Sequence, residues 1–277
     1  MTTTLRPTGP EEPLPDAGRL RRWRVLANGR EVGRVVTSAR LGIGRIEALE
    51  ITEGLRRGRG TVAALAAEEV LRGWDCRRAE VGVPADAPAA HALALALGYT
   101  EASHHLVKRL AEPPAVRTDL TTRPVEAADF RDWLDSINVA YRGQLLRIGL
   151  TEQQADAKVA ADDARLLPQA HATPGMAMRL LLAPGAAEPV GSVWVSYENG
   201  RLPPDDRPLG WVMNVEVEPG RRGQGYGREL MLIAERLCLA AGTHDLGLNV
   251  YTGNESARRL YDSLGYRLTR RQFGKAL

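Results

Sequence analysis

The chain has 277 residues, of which 44% are hydrophobic and 26% charged, enough apolar material for one large globular domain or two modest ones. Lys+Arg number 37 against 34 Asp+Glu, a formal net charge of +3. That balance excludes a dedicated nucleic-acid binder, which concentrates basic charge, but leaves room for a small anionic ligand.

The opening residues "MTTTLRPTGPEEPLPDAG" lack the apolar stretch of a signal peptide, and no apolar run reaches membrane-spanning length. A cytoplasmic protein without a membrane partner is expected. Nearly all the basic side chains are arginine, since Lys108, Lys158 and Lys275 are the only lysines. Cys76 and Cys238 fall on separate helix-like segments without a CxxC spacing and read as buried reduced thiols. His104 and His105 sit on a strand that ends the first half. No HExxH or Cys/His cluster accompanies them, so surface histidines and no metal are expected.

The chain is written twice. "LRP" (5–7) matches "TRP" (122–124), and "VGRVVTS" (32–38) matches "VGSVWVS" (190–196). "RGRGTV" (57–62) matches "RGQGYG" (222–227), "LALALGY" (93–99) matches "LYDSLGY" (260–266), and "VKRL" (107–110) matches "GKAL" (274–277). The matches keep one order, and the boundary falls in the Pro/Ala linker "AEPPAVR" (111–117). Two domains follow, 1–113 and 118–277.

The spacing grows between the first and second matches, so the second copy holds extra residues there. These read as two helices. Phe130, Trp133, Leu134, Ile137, Tyr141 and Leu145 fall on one helical face, and Thr151 with Gln154 forms a capping box for the next helix. The first copy has only the proline-rich "GPEEPLPDAGR" in their place. The second copy then continues strand (about 176–182), strand (190–196), strand (211–218), helix (about 226–241), strand (245–251), helix (about 254–264) and terminal strand (266–277). This order is mixed α/β.

Between a valine-rich strand and a helix stands "GRRGQGYG" (220–227). It is not GxxxxGK[ST], because no lysine follows, and it is not GxGxxG, because no third glycine arrives in phase. It reads R-x-x-G-x-G, with Arg222, Gly225 and Gly227. Taken alone, the loop is either a glycine turn with exposed arginines or an anion cradle. The second reading rests on the free N–H groups of a helix's first turn and on close backbone approach at glycine.

"VEVEPGRRGQGYGREL" (215–230) resembles the cofactor-binding motif of the GNAT acetyltransferase superfamily. "LGLNVYTGNESARRLYDSLGY" (246–266) resembles its second motif, with Asn254, Ala257, Leu260, Tyr261 and Gly265 in phase. The resemblance implies two tandem GNAT-like domains, each a mixed, splayed, mostly antiparallel sheet flanked by helices. It also implies an acetyl-CoA-dependent N-acetyltransferase, with acetyl-CoA as cosubstrate and no metal. In the family the fourth and fifth strands splay and the pantetheine arm pairs with the fourth, here at Val215 and Val217. The pyrophosphate then maps onto Arg222, Gly223, Gln224, Gly225, Tyr226, Gly227 and Arg228. Asn254 maps beside the pantetheine and Tyr261 beside the sulfur.

Acetyl transfer to an amine needs a neutral nucleophile, a donor for the developing oxyanion and a proton for the leaving thiolate. The N–H of Val215 or Val217 suits the oxyanion. A phenol at its model value of ~10 lies just above a thiol at ~8.5, which suits Tyr261 to the thiolate. Glu216 and Asn214 share one strand face, so Glu216 is either the base, acting through water, or a solvent-facing strand carboxylate. Asn214 is placed to orient water or the acceptor. Trp133, Tyr141 and Trp194 are either walls of the acceptor site or core. The loop "RLPPDD" (201–206) is placed to cover it.

In the first copy, the positions matching Asn254 and Tyr261 hold Ala87 and Ala94, and Val62 replaces the last glycine. Chemistry is therefore expected in the second copy, on the amine of a small molecule, with the first copy as a packing partner. The alternatives are a protein or peptide acceptor, or a non-catalytic acyl-CoA-binding module. Either a monomer of pseudo-dimeric halves or a homodimer fits this arrangement.

Overall fold

The structure is a computed structural model, and it describes residues 3–15, 17–52, 58–203 and 205–277. Arg56 and Arg57 of the first glycine loop, and Pro204 of the 201–206 loop, lie outside these residues. In chain order the first half gives β1 (Thr3–Pro7), β2 (Glu12–Leu14), β3 (Gly18–Ala27), β4 (Arg30–Arg40), β5 (Ile43–Ile51), α1 (Arg59–Gly73), β6 (Arg78–Pro84), α2 (Pro88–Ala96) and β7 (Thr100–Arg109). The second gives β8 (Thr121–Pro124), α3 (Ala127–Arg147), α4 (Glu152–Leu166), β9 (Met176–Leu182), β10 (Gly191–Ser196), β11 (Arg201–Leu202) and β12 (Arg207–Val217). It closes with α5 (Tyr226–Ala240), β13 (Asp245–Tyr251), α6 (Glu255–Ser263) and β14 (Arg267–Ala276).

The compact units do not divide simply at the 111–117 linker. One unit comprises residues 1–103, 141–162 and 270–277, and the other comprises 104–140 and 163–269. Each therefore takes its last strand from the other half of the sequence.

In the first unit the sheet order is β1-β3-β4-β5-β6-β14, with β2 on the free side of β3. All pairs are antiparallel except β5 with β6. The proline-rich stretch before β3, which the sequence excludes from helix, forms β2. The core gathers Trp23, Val25, Val35, Ile46, Ala67, Leu71, Tyr99 and Phe273. Phe273 is 1% exposed, so the end of the chain is core here. A second cluster packs Leu145, Leu150 and Ala155 on Ile43. The tip of the α3–α4 pair thus belongs to this unit. Its turn is fixed by the expected capping box: Thr151 Oγ1 accepts from Gln154 N at 3.2 Å, and Gln154 Oε1 accepts from Thr151 N at 3.0 Å.

In the second unit the order is β7-β13-β12-β10-β9-β8, with β11 on β12. One face packs on α5 through Val193, Val195, Val212, Leu230, Met231, Leu246 and Leu248. The other packs on α3 through Trp133, Trp194, Met178 and Leu180. Packing on both faces explains why all six residues of β10, GSVWVS, are buried with no alternation.

Cys76 and Cys238 are buried free thiols, and burial pushes them up to about 11 and about 12. The histidines differ from expectation. His104 is 7% exposed, and His105 meets Trp211 edge-on at 5.1 Å. Among the described residues no helix is long and apolar enough to cross a membrane.

Candidate active site

The site begins with a break in strand pairing. β12 and β13 run parallel and pair only from Leu209–Val212 with Asp245–Leu248. Both strands continue beyond that point, to Val217 and Tyr251, without pairing. On its other side β12 stays paired with β10, with a bulge: Trp194 faces Asn214 while Val195 faces Val212, so Met213 is the extra residue. A bulge bends its strand, and here the bend falls where β12 leaves β13.

The N–H of Glu218 donates to Val190 O at 3.0 Å, which turns this end of β12 toward β10. Alternation then aims the backbone groups of Val215 and Val217 into the gap. Their side chains pack on the α5 core, so Asn214 and Glu216 project from the opposite face.

At the mouth of the gap, α5 begins without a side-chain cap at Gly225. Gly225 has φ +84 and Gly223 φ +78, left-handed values that favour glycine, and a Cβ at either would point into open space. Of the first-turn N–H groups, that of Arg228 donates to Gly225 O at 3.0 Å, while those of Tyr226 and Gly227 meet no backbone acceptor among the described residues. Arg222 donates through Nε to Val217 O at 3.2 Å, and Arg228 donates through Nη2 to Ser263 Oγ at 2.5 Å. The two guanidiniums are therefore anchored on either side of the loop.

These parts line one cleft of about 600 Å³. It holds Asn214, Val215, Glu216, Val217, Arg222, Gly223, Gly225, Tyr226, Gly227, Arg228, Asn254 and Tyr261. Among the residues expected at the site, only Gln224 lies outside this lining. It is exposed on the loop's outer side. Ile137 and Ala140 of α3 also line the cleft. Ile137 belongs to the apolar face read from sequence, but a small alanine carries no such signal.

Asn254 has a local task as well. Its Oδ1 accepts from Ala257 N at 3.1 Å and caps α6, so one residue both starts that helix and lines the cleft. Tyr261 is 6% exposed, and burial pushes its phenol up to about 12. Glu216 makes no ion pair among the described residues. Burial raises its carboxyl above the ordinary range, nearby Glu218 adds to this, and Arg222 opposes it.

Glu216 also lines a second groove, of about 790 Å³, with Asp129, Asp132, Glu188, Glu218, Arg123, Arg221 and Trp133 around it. Trp194 is core, whereas Trp133, although 7% exposed, also lines this second groove. They meet edge-on at 5.8 Å, and Trp133 Nε1 donates to Ser192 Oγ at 3.1 Å. Tyr141 donates to Asp162 Oδ2 at 2.7 Å in the other unit. Asn214 Nδ2 and Trp194 Nε1 are buried donors without a protein acceptor among the described residues. No cluster of three metal-ligating side chains occurs among those residues.

A sequence profile of the acetyltransferase (GNAT) family matches residues 148–266. A mycothiol acetyltransferase of Frankia casuarinae is 30% identical over 227 residues, covering 76% of this chain and 62% of the relative. The chain thus spans 62% of the length of that relative. Among solved structures, a GCN5-related N-acetyltransferase from Sphaerobacter thermophilus superposes with TM-score 0.65 at 18% identity, over 92% of this chain and 80% of that one. A tandem GNAT protein from the clavulanic acid biosynthesis pathway does so with TM-score 0.56 at 19% identity, over 95% and 85%. Both structural likenesses concern the fold. Together with the splayed strands and the uncapped glycine start of α5, these findings show that residues 148–266 belong to the GNAT acetyltransferase family.

Proposed function

We propose that the second unit binds acetyl-CoA in the β12/β13 cleft and transfers its acetyl group to the amine of a small molecule. The observation that carries this reading is the convergence on one cleft of an open strand edge, an uncapped helix start and a buried phenol. The open edge at Val215 and Val217 suits an amide-bearing chain adding as a further strand. The unclaimed N–H groups at Gly223–Gly227, flanked by Arg222 and Arg228, suit a pyrophosphate. These residues therefore suit acetyl-CoA.

The acceptor approaches from the groove that shares Glu216. Its carboxylates, Asp129, Asp132, Glu188 and Glu218, outweigh Arg123 and Arg221 and suit a cationic amine. An alkylammonium near ~10.4 must lose a proton before it can attack. Glu216 takes that proton through water, and its raised carboxyl makes it a stronger base than an exposed glutamate. The amine nitrogen then bonds to the thioester carbon, while a strand N–H of Val215 or Val217 supports the oxygen. The carbon–sulfur bond breaks, the sulfur receives a proton at Tyr261, and the phenol is refilled from the nitrogen.

A phenol at about 12 stays protonated throughout the neutral range. It is a weaker acid than the near-match expected from model values. Its suited role is a hydrogen-bond donor that shares its proton with the sulfur while the nitrogen loses one. Asn214, with its unused Nδ2, is placed to orient the acceptor.

Thiol release from acetyl-CoA tests this reading with a panel of amines, comparing the wild type with Tyr261→Phe. Turnover with at least one small amine, and its loss in the variant, is expected. Coenzyme A binding with no turnover on any small amine or peptide would reduce the protein to an acyl-CoA binder.

A further inference from the structure

The three lysines are placed alike: each ammonium is hydrogen-bonded to a carboxylate. Lys158 meets Asp162 at 2.8 Å. Lys108 Nζ lies 2.8 Å from both oxygens of Glu235, and Lys275 Nζ lies 3.0 and 2.8 Å from those of Glu68. The last two pairs occupy matching positions in the two copies. Glu235 and Glu68 are 2% and 1% exposed, deep on α5 and α1. In each unit the lysine comes from the exchanged terminal strand, and its ammonium lies over a tyrosine ring: Lys108 over Tyr266 at 5.7 Å, and Lys275 over Tyr99 at 5.5 Å.

The units differ in what the tyrosine touches next. Tyr266 meets the ring of Tyr261 edge-on, centroids 6.0 Å apart. In the first unit, Ala94 occupies the matching position of that phenol. The second unit also lacks a spare cation. Glu68 is reached by Arg72 as well, at 3.6 Å, whereas the position matching Arg72 holds Leu239.

We propose that Lys108, Glu235 and Tyr266 are positioning residues for Tyr261, so that a strand from the first half of the sequence holds the phenol of the second. The chain of contact is short. The carboxylate fixes the ammonium, the ammonium lies over the Tyr266 ring, and that ring stands edge-on to Tyr261. A phenol displaced by as little as an ångström from the sulfur loses much of its effect. This inference rests on the catalytic reading of Tyr261.

Removing Lys108 alone would strand a buried carboxylate, so the test uses matched double variants. Lys108→Met/Glu235→Gln dissolves the pair beside Tyr266, and Lys275→Met/Glu68→Gln dissolves its twin beside Tyr99, where Ala94 stands in place of the Tyr261 phenol. Activity is measured with acetyl-CoA and the best amine of the panel. The first double is expected to lower kcat about tenfold, a fraction of what a general acid contributes, and to leave the KM for acetyl-CoA within about twofold. The second is expected to leave kcat within about twofold at a similar loss of melting temperature.

The second readout is fluorine NMR of protein labelled with 3-fluorotyrosine. The Tyr261 line is identified by its absence in Tyr261→Phe, and it should move or split in the first double only. Equal kcat losses in the two doubles would overturn the proposal, as would an unmoved Tyr261 line. If Tyr261→Phe itself keeps full activity, the catalytic reading of Tyr261 fails, and the fluorine line alone then decides the positioning.

Discussion

In the first unit the strand carboxylate Glu50 is gripped by Arg34, with Nε and Nη2 each 2.9 Å from an oxygen. In the second unit the matching carboxylate, Glu216, stands opposite Ser192 and makes no ion pair among the described residues. The backbones around these two carboxylates agree closely. In the first unit β5 pairs with β6 only as far as Ile46 and Val81, then both strands run on. A bulge falls at Glu47, as it does at Met213. Helix α1 starts at Gly58 with φ +75, as α5 starts at Gly225 with φ +84. The last glycine is kept too, which corrects the sequence reading that put Val62 in its place: Gly60 lies against Leu93 and Gly227 against Leu260, a Cβ at either falling 3.5 Å from the leucine.

What differs is a few side chains. Arg34 becomes Ser192, Ala48 becomes Asn214, Ala87 becomes Asn254 and Ala94 becomes Tyr261. The serine is small, which leaves Glu216 unclaimed and admits the Trp133 indole as its partner. The first cleft, of about 260 Å³, is walled largely by Ile46, Leu49, Val81, Val83, Leu93 and Leu97. Splay, bulge and left-handed glycine are thus properties of the fold, while the proposed chemistry depends on side chains that only one cleft carries.

Four substitutions would break or sharpen this contrast. The largest effect is expected from Tyr261→Phe, which makes the second cleft resemble the first at its phenol position. A kcat loss of ~10²–10⁴ is expected, measured by thiol release at saturating acetyl-CoA. Next comes Gly225→Ala. A left-handed conformation costs a non-glycine residue roughly 1–2 kcal/mol, and the methyl group stands where the anion should approach. A rise of about tenfold in the KM for acetyl-CoA is expected, while Gly58→Ala should cost similar stability and leave that KM unchanged.

Ser192→Arg transplants the grip of Arg34 onto Glu216. A guanidinium beside a carboxylate lowers its pKa by about 1–3 units, so the acid limb of the pH–rate profile should shift down as kcat/KM falls. The smallest effect is on stability. Burial holds the Glu216 carboxyl above its unfolded value, so the folded state binds that proton more tightly. The stabilisation is present at low pH and is lost as pH rises through the folded pKa. Glu216→Gln stays neutral, so it should melt slightly higher than wild type at pH 7 and show no difference near pH 4. It should also remove the acid limb of activity, whereas Glu50→Gln should leave both profiles unchanged.

Much of this architecture was legible in the sequence, for physical reasons that vary along the chain. The β12–α5 unit announces itself by its valines, its proline and its glycines, because local geometry requires them. The capping box at Thr151 is likewise a local arrangement. The contrast between Arg34 and Ser192 is visible once the two copies are aligned. The exchange of β7 and β14 leaves no local mark, because each strand has the same pattern whichever sheet receives it. For the same reason His104 reads as a surface residue, although it is 7% exposed. The acidity of Tyr261 was equally hidden, since it depends on burial that only the assembled core supplies.

The scarcity of lysine has one more consequence. A thioester acylates an amine only when the nitrogen can reach the acyl carbon, and a lysine nitrogen held against a carboxylate is kept from that approach. All three lysine side chains are tied in this way, to Asp162, Glu235 and Glu68. The remaining basic side chains are arginines, whose guanidinium stays protonated. A protein working amid its own activated acyl donor would therefore offer that donor no lysine to modify, so none of it would be consumed on the protein's own lysines.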